Sequence, residues 1–119
     1  MKKENIIKEK SYSFALRMIK AYKFLNMEQQ EFVLSKQMLR SGTAIGALIR
    51  EAEFAQSSAD FIHKLSISLK EANETEYWLS LLKDSEYISE SSFHSVHTDC
   101  VELIKLLTSI INASKKNNY

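Results

Sequence analysis

The stretch LRSGTAIGALIREA, residues 39–52, is the most informative segment for the fold class of this chain. It contains Gly42 and Gly46, the two glycines of the 119-residue sequence, and the sequence has no proline. Apolar residues in and around this stretch recur at intervals of three, four and seven, which is the period of one helix face. Nothing here breaks a helix for long, and the turn residues that a β-sheet needs are missing. The sequence therefore predicts an all-α protein.

The same spacing continues along the chain and predicts four amphipathic helices. Their expected limits are about residues 3–25, 28–55, 58–84 and 90–114. Ser57 and Asp60 form a capping-box pattern before the third helix, and Ser89 is a suitable N-cap for the fourth. Helices of similar length with short connections favour an antiparallel up-down-up-down four-helix bundle. The length fits a single domain, residues 1–119.

The two glycines need a reason, because they lie inside the second predicted helix. Each costs a helix up to about 1 kcal/mol relative to alanine. Gly42 and Gly46 are four residues apart and so share one face of the helix. We expect a neighbouring helix to approach this face closely.

Composition indicates a cytoplasmic protein. The first ten residues are charged and have no apolar run, so we expect no secretory signal. No stretch approaches the roughly 20 apolar residues of a membrane span, and we expect no membrane partner. The one cysteine, Cys100, cannot form an internal disulfide, which fits a reducing compartment.

Two stretches are more apolar than one bundle needs. In residues 77–82 (YWLSLL) the apolar side chains cover more than half of the helix circumference, and residues 31–34 (EFVL) are similar. A monomeric helix usually buries a stripe of about 100° or a little more. The excess predicts a homo-oligomer, and a wide core face is the alternative. The expected interface residues are Phe32, Val33, Tyr77, Trp78, Leu81 and Leu82.

A net charge of +1 hides an uneven distribution. Residues 1–23 carry seven basic and two acidic side chains, whereas residues 50–90 carry four basic and nine acidic ones. Clustered basic side chains can neutralise nucleic-acid phosphates, and solvated helix faces are the simpler alternative. The possible face for RNA, DNA or another protein partner comprises Lys2, Lys10, Arg17, Lys20, Lys23, Lys36, Arg40 and Arg50.

Catalytic and cofactor motifs are missing from the sequence. No phosphate-binding glycine loop, G-x-S-x-G, H-E-x-x-H or C-x-x-C occurs. His94, His97 and Cys100 are three apart, but the first and last of them turn away from each other on a helix by about 120°. Glu51, Glu71 and Glu74 could converge between antiparallel helices, and we expect a solvated or ion-paired patch there. We therefore predict no catalytic residues, no metal, no cofactor and no enzymatic activity.

Residues 39–52 together with ADFIHKLSISLKEANETEYWL, residues 59–79, resemble a bacterial four-helix bundle family, the ribosomal RNA intervening-sequence proteins. The likeness extends from about residue 6 to about residue 111. It implies a cytosolic bundle that assembles as a ring-like homopentamer and has no known catalysis. Related accessory proteins of diversity-generating retroelements form basic pentameric barrels, which bind nucleic acid and a reverse transcriptase.

This chain departs from the family pattern in residues 44–52. The family commonly has Ser-Ile-x-x-Asn-Ile-x-Glu-Gly, whereas here Leu48 stands for the asparagine and Ala52 for the glycine. The near-neutral charge also differs from the basic relatives. We therefore predict a non-enzymatic homo-oligomeric bundle that acts as a scaffold or a nucleic-acid-associated interaction module. The alternative is a purely protein–protein interaction bundle without nucleic-acid binding.

Overall fold

The computed structural model describes residues 2–117 and confirms the all-α four-helix prediction. The helices are α1 (Lys2–Met27), α2 (Leu34–Glu53), α3 (Ser58–Asp84) and α4 (Glu90–Asn117), and residues 2–117 contain no strand. The limits of α3 are those predicted. The start of α4 at Glu90 is also as predicted. In contrast, α1 continues through Asn26 to Met27, α2 ends at Glu53 rather than at residue 55, and α4 extends three residues beyond residue 114.

The predicted start of the second helix at residue 28 is wrong, because α2 begins at Leu34. Gln30 has a positive φ of 57°, which ends the helical path of α1. The Glu31 carboxylate then accepts hydrogen bonds from the backbone N–H groups of Val33, Leu34 and Ser35 at 3.0, 2.8 and 2.7 Å. These are donors that a helix N-terminus leaves without partners inside the helix. Glu31 therefore caps α2 from a residue that the prediction placed inside it.

The helices pack in the order of an up-down-up-down bundle. Each helix packs on its neighbour in sequence and α4 packs on α1, whereas within residues 2–117 the diagonal pairs α1–α3 and α2–α4 bring no Cα atoms within 8 Å of each other. The bundle measures 49 × 21 × 19 Å, as expected for helices of this length at 1.5 Å per residue. No helix of the described part is both long and apolar enough to cross a membrane.

The core runs along the whole bundle axis and combines aliphatic side chains with a few small polar ones. Ser41 and Thr75 share a hydrogen bond of 2.8 Å across the contact of α2 and α3, and Ser68 donates to the Ile45 carbonyl at 2.9 Å. Pairing removes the cost of burying these hydroxyls. The largest fully buried side chains are Ile7, Phe14, Met18, Leu25, Met38, Ile45, Leu79, Leu82, Leu103 and Leu107.

The predicted close approach at the two glycines is confirmed. A Cβ at Gly42 would lie 2.7 Å from Met18 Sδ and even closer to its Cγ, so α1 fills the space that a side chain would need. A Cβ at Gly46 would lie 3.3 Å from Ser11 Oγ and 3.4 Å from the Ser11 carbonyl oxygen. The neighbour of both glycines is therefore α1, which fills the space at Gly42 with the Met18 side chain and approaches Gly46 with the Ser11 backbone and hydroxyl.

Short polar caps define the two remaining turns. Ser57 Oγ accepts the Asp60 N–H at 3.1 Å, and Ser89 Oγ accepts the Ser92 N–H at 3.1 Å, so both predicted caps are confirmed. At the end of α3 the N–H groups of Glu86 and Tyr87 return to the carbonyls of Lys83 and Leu82. Glu86 has a φ of 67° there, the left-handed conformation that such a helix end requires.

Candidate interaction surfaces

An apolar stripe on the outer side of α1 is a surface feature that sequence reasoning missed. Tyr12, Leu16 and Ile19 are 58%, 52% and 39% exposed, and their spacing of four and three places them on one helix face. The core of α1 is formed by another face, which includes Phe14 and Met18. The spacing of Tyr12, Leu16 and Ile19 is visible in the sequence. A search that assigns one apolar stripe to each helix, however, does not find a second stripe on α1.

The stripe continues onto α2. The Arg50 guanidinium lies 6.0 Å from the centre of the Tyr12 ring, which joins the two helices at this point. Lys36, Thr43 and Arg50 follow one another at intervals of seven on α2, and Lys23 continues the α1 stripe. Together Tyr12, Leu16, Ile19, Lys23, Lys36 and Arg50 are called the α1–α2 face below.

The charged residues of this face are all basic, and the acidic residue Glu9 lies beside it, three residues before Tyr12 at one end of the stripe. Within residues 2–117, the side chains of Lys23, Lys36 and Arg50 take part in no ion pair. Three uncompensated cations therefore border an exposed apolar stripe. Such a combination favours a partner that offers apolar and acidic groups together.

Further exposed apolar side chains stand just before α2 and towards the end of α3. Phe32, Val33 and Tyr77 are 54%, 71% and 58% exposed, while Trp78 and Leu81 are partly buried. The Tyr77 and Trp78 rings meet edge to face with centroids 5.1 Å apart. We call Phe32, Val33, Tyr77, Trp78 and Leu81 the α2–α3 patch.

Leu82 does not belong to this patch, and its assignment to a subunit interface is wrong. Its exposed fraction is 0%, because the position three residues after Leu79 faces the same core. A fully buried leucine cannot contact a second subunit. The run of residues 77–82 thus serves two purposes, the core through Leu79 and Leu82 and the surface through Tyr77.

The predicted basic face is divided over several sides of the bundle. Lys10 lies 3.2 Å from Glu102, and Arg17 contacts Asp99 at 2.6 Å and the Ser95 hydroxyl at 2.9 Å, so α1 is tied to α4. Arg40 pairs with glutamates of α3. Three of the other predicted residues, Lys23, Lys36 and Arg50, share the α1–α2 face. Lys20 lies nearer to α4, and the side chain of Lys2 is outside the described residues.

Arg40 also binds two of the three glutamates for which the sequence offered convergence between antiparallel helices. It contacts Glu71 at 3.3 Å and Glu74 more closely, and Trp78 Nε1 donates to Glu74 at 3.0 Å. The Trp78 hydrogen bond and the Arg40 charge hold the pKa of Glu74 below its usual value despite partial burial. Glu51 stands apart and pairs with Lys64 at 3.1 Å. The expected ion-paired patch is thus present for two of the three glutamates.

The histidines and the cysteine occupy separate environments. His97 Nε2 lies 2.7 Å from Glu76 and its ring stacks on Phe93, whereas His94 is exposed. Cys100 is fully buried, and burial together with the charges of Glu76 and Asp99 raises the pKa of its thiol to about 12. Among the described residues, no group of three or more acidic, histidine or cysteine side chains could hold a metal ion.

A comparison with solved structures found a protein that this chain resembles in both sequence and fold. The crystal structure of a protein of unknown function from the S23 ribosomal protein family of Bacteroides thetaiotaomicron VPI-5482 is 62% identical. The match covers 92% of this chain and 98% of that one, with a TM-score of 0.92. A comparison with curated proteins found no match.

A comparison with sequence profiles of protein families identifies the family of this chain. The sequence profile described as "23S rRNA-intervening sequence protein" matches residues 3–109, which is most of the bundle from α1 into α4. The earlier resemblance rested on residues 39–52 and 59–79, and these segments lie in α2 and α3 at the centre of that match. The chain therefore belongs to the 23S rRNA-intervening sequence protein family.

Proposed function

We propose that this protein is a non-enzymatic scaffold that assembles from identical subunits, each placing its α1–α2 face on the α2–α3 patch of the next. The observation that supports this most directly is the presence of two separate exposed apolar surfaces on one small bundle. Tyr12 and Leu16 belong to the first surface, and Phe32, Val33 and Tyr77 belong to the second; each of these side chains is more than half exposed. Large exposed apolar patches are uncommon on monomeric proteins.

Charge favours contact between unlike surfaces. Two α1–α2 faces brought together would place Lys23, Lys36 and Arg50 against their own copies, and like charges across an interface cost several kcal/mol. The α2–α3 patch instead adjoins the Arg40–Glu71–Glu74 cluster, because Trp78 donates to Glu74. One guanidinium there meets two carboxylates, so the cluster carries a net negative charge. The α1–α2 face therefore has a better partner in the patch than in itself.

Contact between two different surfaces has a geometric consequence. Each subunit then has one surface of each kind, so that subunits add head to tail until a ring closes or a filament grows. The two surfaces lie on adjacent sides of the bundle, α1–α2 and α2–α3. The row of subunits therefore changes direction at every subunit. Closure at five subunits, the number implied by the family resemblance, is part of the proposal.

Two charge-introducing variants test the arrangement. Leu16→Glu removes the first surface and Tyr77→Glu removes the second, and both positions are exposed, so the bundle itself should still fold. Each variant alone should be monomeric by light scattering. Mixed in equal amounts, they should form a dimer of twice the monomer mass, because one intact surface of each kind remains and the dimer cannot grow. His63→Glu, at an exposed site on neither surface, is the matched control and should assemble normally.

The outcomes separate the parts of the proposal. A wild-type protein that is monomeric at micromolar concentration would refute the scaffold altogether. An oligomeric wild type whose two variants fail to combine would refute only the head-to-tail contact. Circular dichroism of each variant shows that loss of assembly is not loss of folding.

Nucleic-acid binding is the second candidate function, and one observation favours it. The uncompensated cations Lys23, Lys36 and Arg50 lie on the same face as the exposed Tyr12 ring, and cations beside an aromatic ring suit a single strand of RNA or DNA. Against it, Lys10, Arg17 and Arg40 are already neutralised by acidic partners within the subunit. Only part of the predicted basic face therefore remains for phosphates.

A salt titration distinguishes the two candidates. If the face binds nucleic acid, a fluorescent single strand should associate at about 50 mM salt and dissociate on raising the salt to about 200 mM. Lys23→Glu should weaken that association, whereas Lys10→Gln, at a paired position, should not. No association at the lower salt concentration would eliminate nucleic-acid binding and leave the protein scaffold.

A further inference from the structure

A groove separates the C-terminal half of α1 from the α3–α4 turn. Its volume is about 960 Å³, and its walls include Ala21 and Phe24 of α1, Tyr87 and Ile88 of the turn, and Val96 of α4. The groove exists because α1 and α4 pack least extensively of the four neighbouring pairs. Towards the middle of the bundle, the contacts of Arg17 with Asp99 and Ser95 tie the two helices together and close it.

The groove is apolar inside and carries charges of both signs on its rim. Phe24 remains 43% exposed although it lines the wall, and the floor is the core itself, through Leu25 and Leu82. Of the charged residues that line the groove, Arg17 pairs with Asp99, and Lys83 pairs with Asp84 and lies over the Phe93 ring. Lys20 stands on the α1 side, whereas Glu86 and Glu90 stand on the side of the turn. None of these three side chains takes part in an ion pair within residues 2–117.

We propose that this groove binds an amphipathic helix of a partner protein, with acidic side chains along the flank that meets α1 and basic side chains along the flank that meets the turn. A groove beside two helix ends accepts the apolar stripe of a third helix, and its anchors recur at three, four and seven. The opposite charges on the two sides of the rim fix the rotation of that helix about its own axis. Nucleic acid is a poor fit, because Glu86 and Glu90 would repel its phosphates.

A second copy of this chain fits less well than a different protein. The exposed apolar stripe of α1 is bordered by cations, including Lys23, and would bring like charge to Lys20. The stripe has an acidic neighbour in Glu9, but this residue lies before Tyr12, at the opposite end of the stripe from Lys23. The groove and the α1–α2 face also lie on different sides of α1, so that a bound helix and a neighbouring subunit need not compete.

Two designed peptides of identical composition test the proposal. Each has about 18 residues, five helical turns, with a leucine stripe flanked by glutamates on one side and lysines on the other. The second peptide exchanges the two flanks, so its helicity and apolar area are unchanged. Fluorescence anisotropy with the full-length protein should give a Kd about tenfold lower for the matched peptide, and high salt should reduce the difference.

Protein variants then locate the site. Ala21→Trp fills the groove and should abolish binding, whereas Ala113→Trp, at an exposed position near the opposite end of the bundle, should not. The triple variant Lys20→Glu/Glu86→Lys/Glu90→Lys should reverse the preference between the two peptides, an effect that partial unfolding cannot produce. Equal affinity for both peptides, no binding of either, or a preference that persists in the triple variant would overturn the proposal. If a small apolar dye binds in the groove and neither peptide does, the groove is a small-molecule site and the proposal is also overturned.

Discussion

Replacement of Glu31 should destabilise the bundle out of proportion to the size of the change. This side chain is 7% exposed and its carboxylate accepts three backbone N–H groups at the start of α2. Burial alone would raise the pKa of Glu31, but the N–H groups of Leu34, Ser35 and Val33 outweigh it and hold the pKa below its ordinary value. The ionised form is thus the one that the fold stabilises.

The expected magnitudes follow from what each substitution leaves behind. Glu31→Gln keeps one acceptor oxygen but loses the negative charge at the positive end of α2, and we expect a loss of about 1–2 kcal/mol in unfolding free energy. Glu31→Ala leaves several N–H groups without an acceptor in a largely buried position, and we expect about 2–3 kcal/mol. Glu28→Gln is the matched control, since Glu28 is an exposed carboxylate of the same connection, and it should change stability by less than about 0.5 kcal/mol.

The effect should also depend on pH in a defined direction. Because the folded-state pKa of Glu31 is lowered, its contribution is fully present above the unfolded-state pKa and is lost as pH falls through the folded-state value. The stability difference between wild type and Glu31→Gln should therefore be constant at neutral pH and shrink in acid, below the ordinary carboxyl pKa of about 4.3.

Urea denaturation followed by circular dichroism measures both quantities. A change of less than about 0.5 kcal/mol for Glu31→Gln at pH 7 would refute the capping argument. So would a difference between wild type and variant that does not decrease on acidification. If the wild type is oligomeric, all variants must be compared at one protein concentration, because assembly adds to apparent stability.

Three further predictions rest on single backbone or side-chain positions. Gly42→Ala should destabilise the protein by about 1 kcal/mol despite a better helix propensity, because the new Cβ displaces Met18, whereas Gly46→Ala should be neutral or slightly stabilising. Thermal unfolding compares the two variants, and equal effects would contradict the packing argument. Glu86→Gly should stabilise by about 0.5–1 kcal/mol, because glycine adopts the positive φ without strain, and a loss of stability in urea denaturation would show that Glu86 makes a stronger contribution elsewhere. Cys100, with a thiol pKa of about 12 and no exposure, should resist a thiol-alkylating reagent at pH 8 in the folded protein and react after denaturation; rapid modification under native conditions would contradict its burial.

The helices themselves were predictable because local spacing and composition govern them. α3 has the predicted limits, since Ser57 and Asp60 supply a cap whose geometry lies within four residues. The start of α2 was not predictable in this way. Glutamate favours a helix interior by propensity, and the role of Glu31 as a cap depends on the turn at Gln30 that brings its carboxylate back to the chain.

The surfaces were predicted less well than the core. Three of the six expected interface residues, Phe32, Val33 and Tyr77, are well exposed, but Leu82 is in the core and the stripe of Tyr12, Leu16 and Ile19 was missed. Periodicity finds apolar stripes without saying which of two stripes faces inward. That choice depends on where the neighbouring helices lie.

The number of helices, their order and the close approach at Gly42 and Gly46 could be read from the sequence, because they follow from interactions between residues near in the chain or from the absence of a side chain. Which charges remain available depends instead on how the helices pack. Lys10, Arg17 and Arg40 look like Lys23 and Lys36 in the sequence, yet the first three meet carboxylates on α4 or α3 and the others do not. Ion pairs between helices depend on distances across the bundle, and these are set by packing rather than by local sequence.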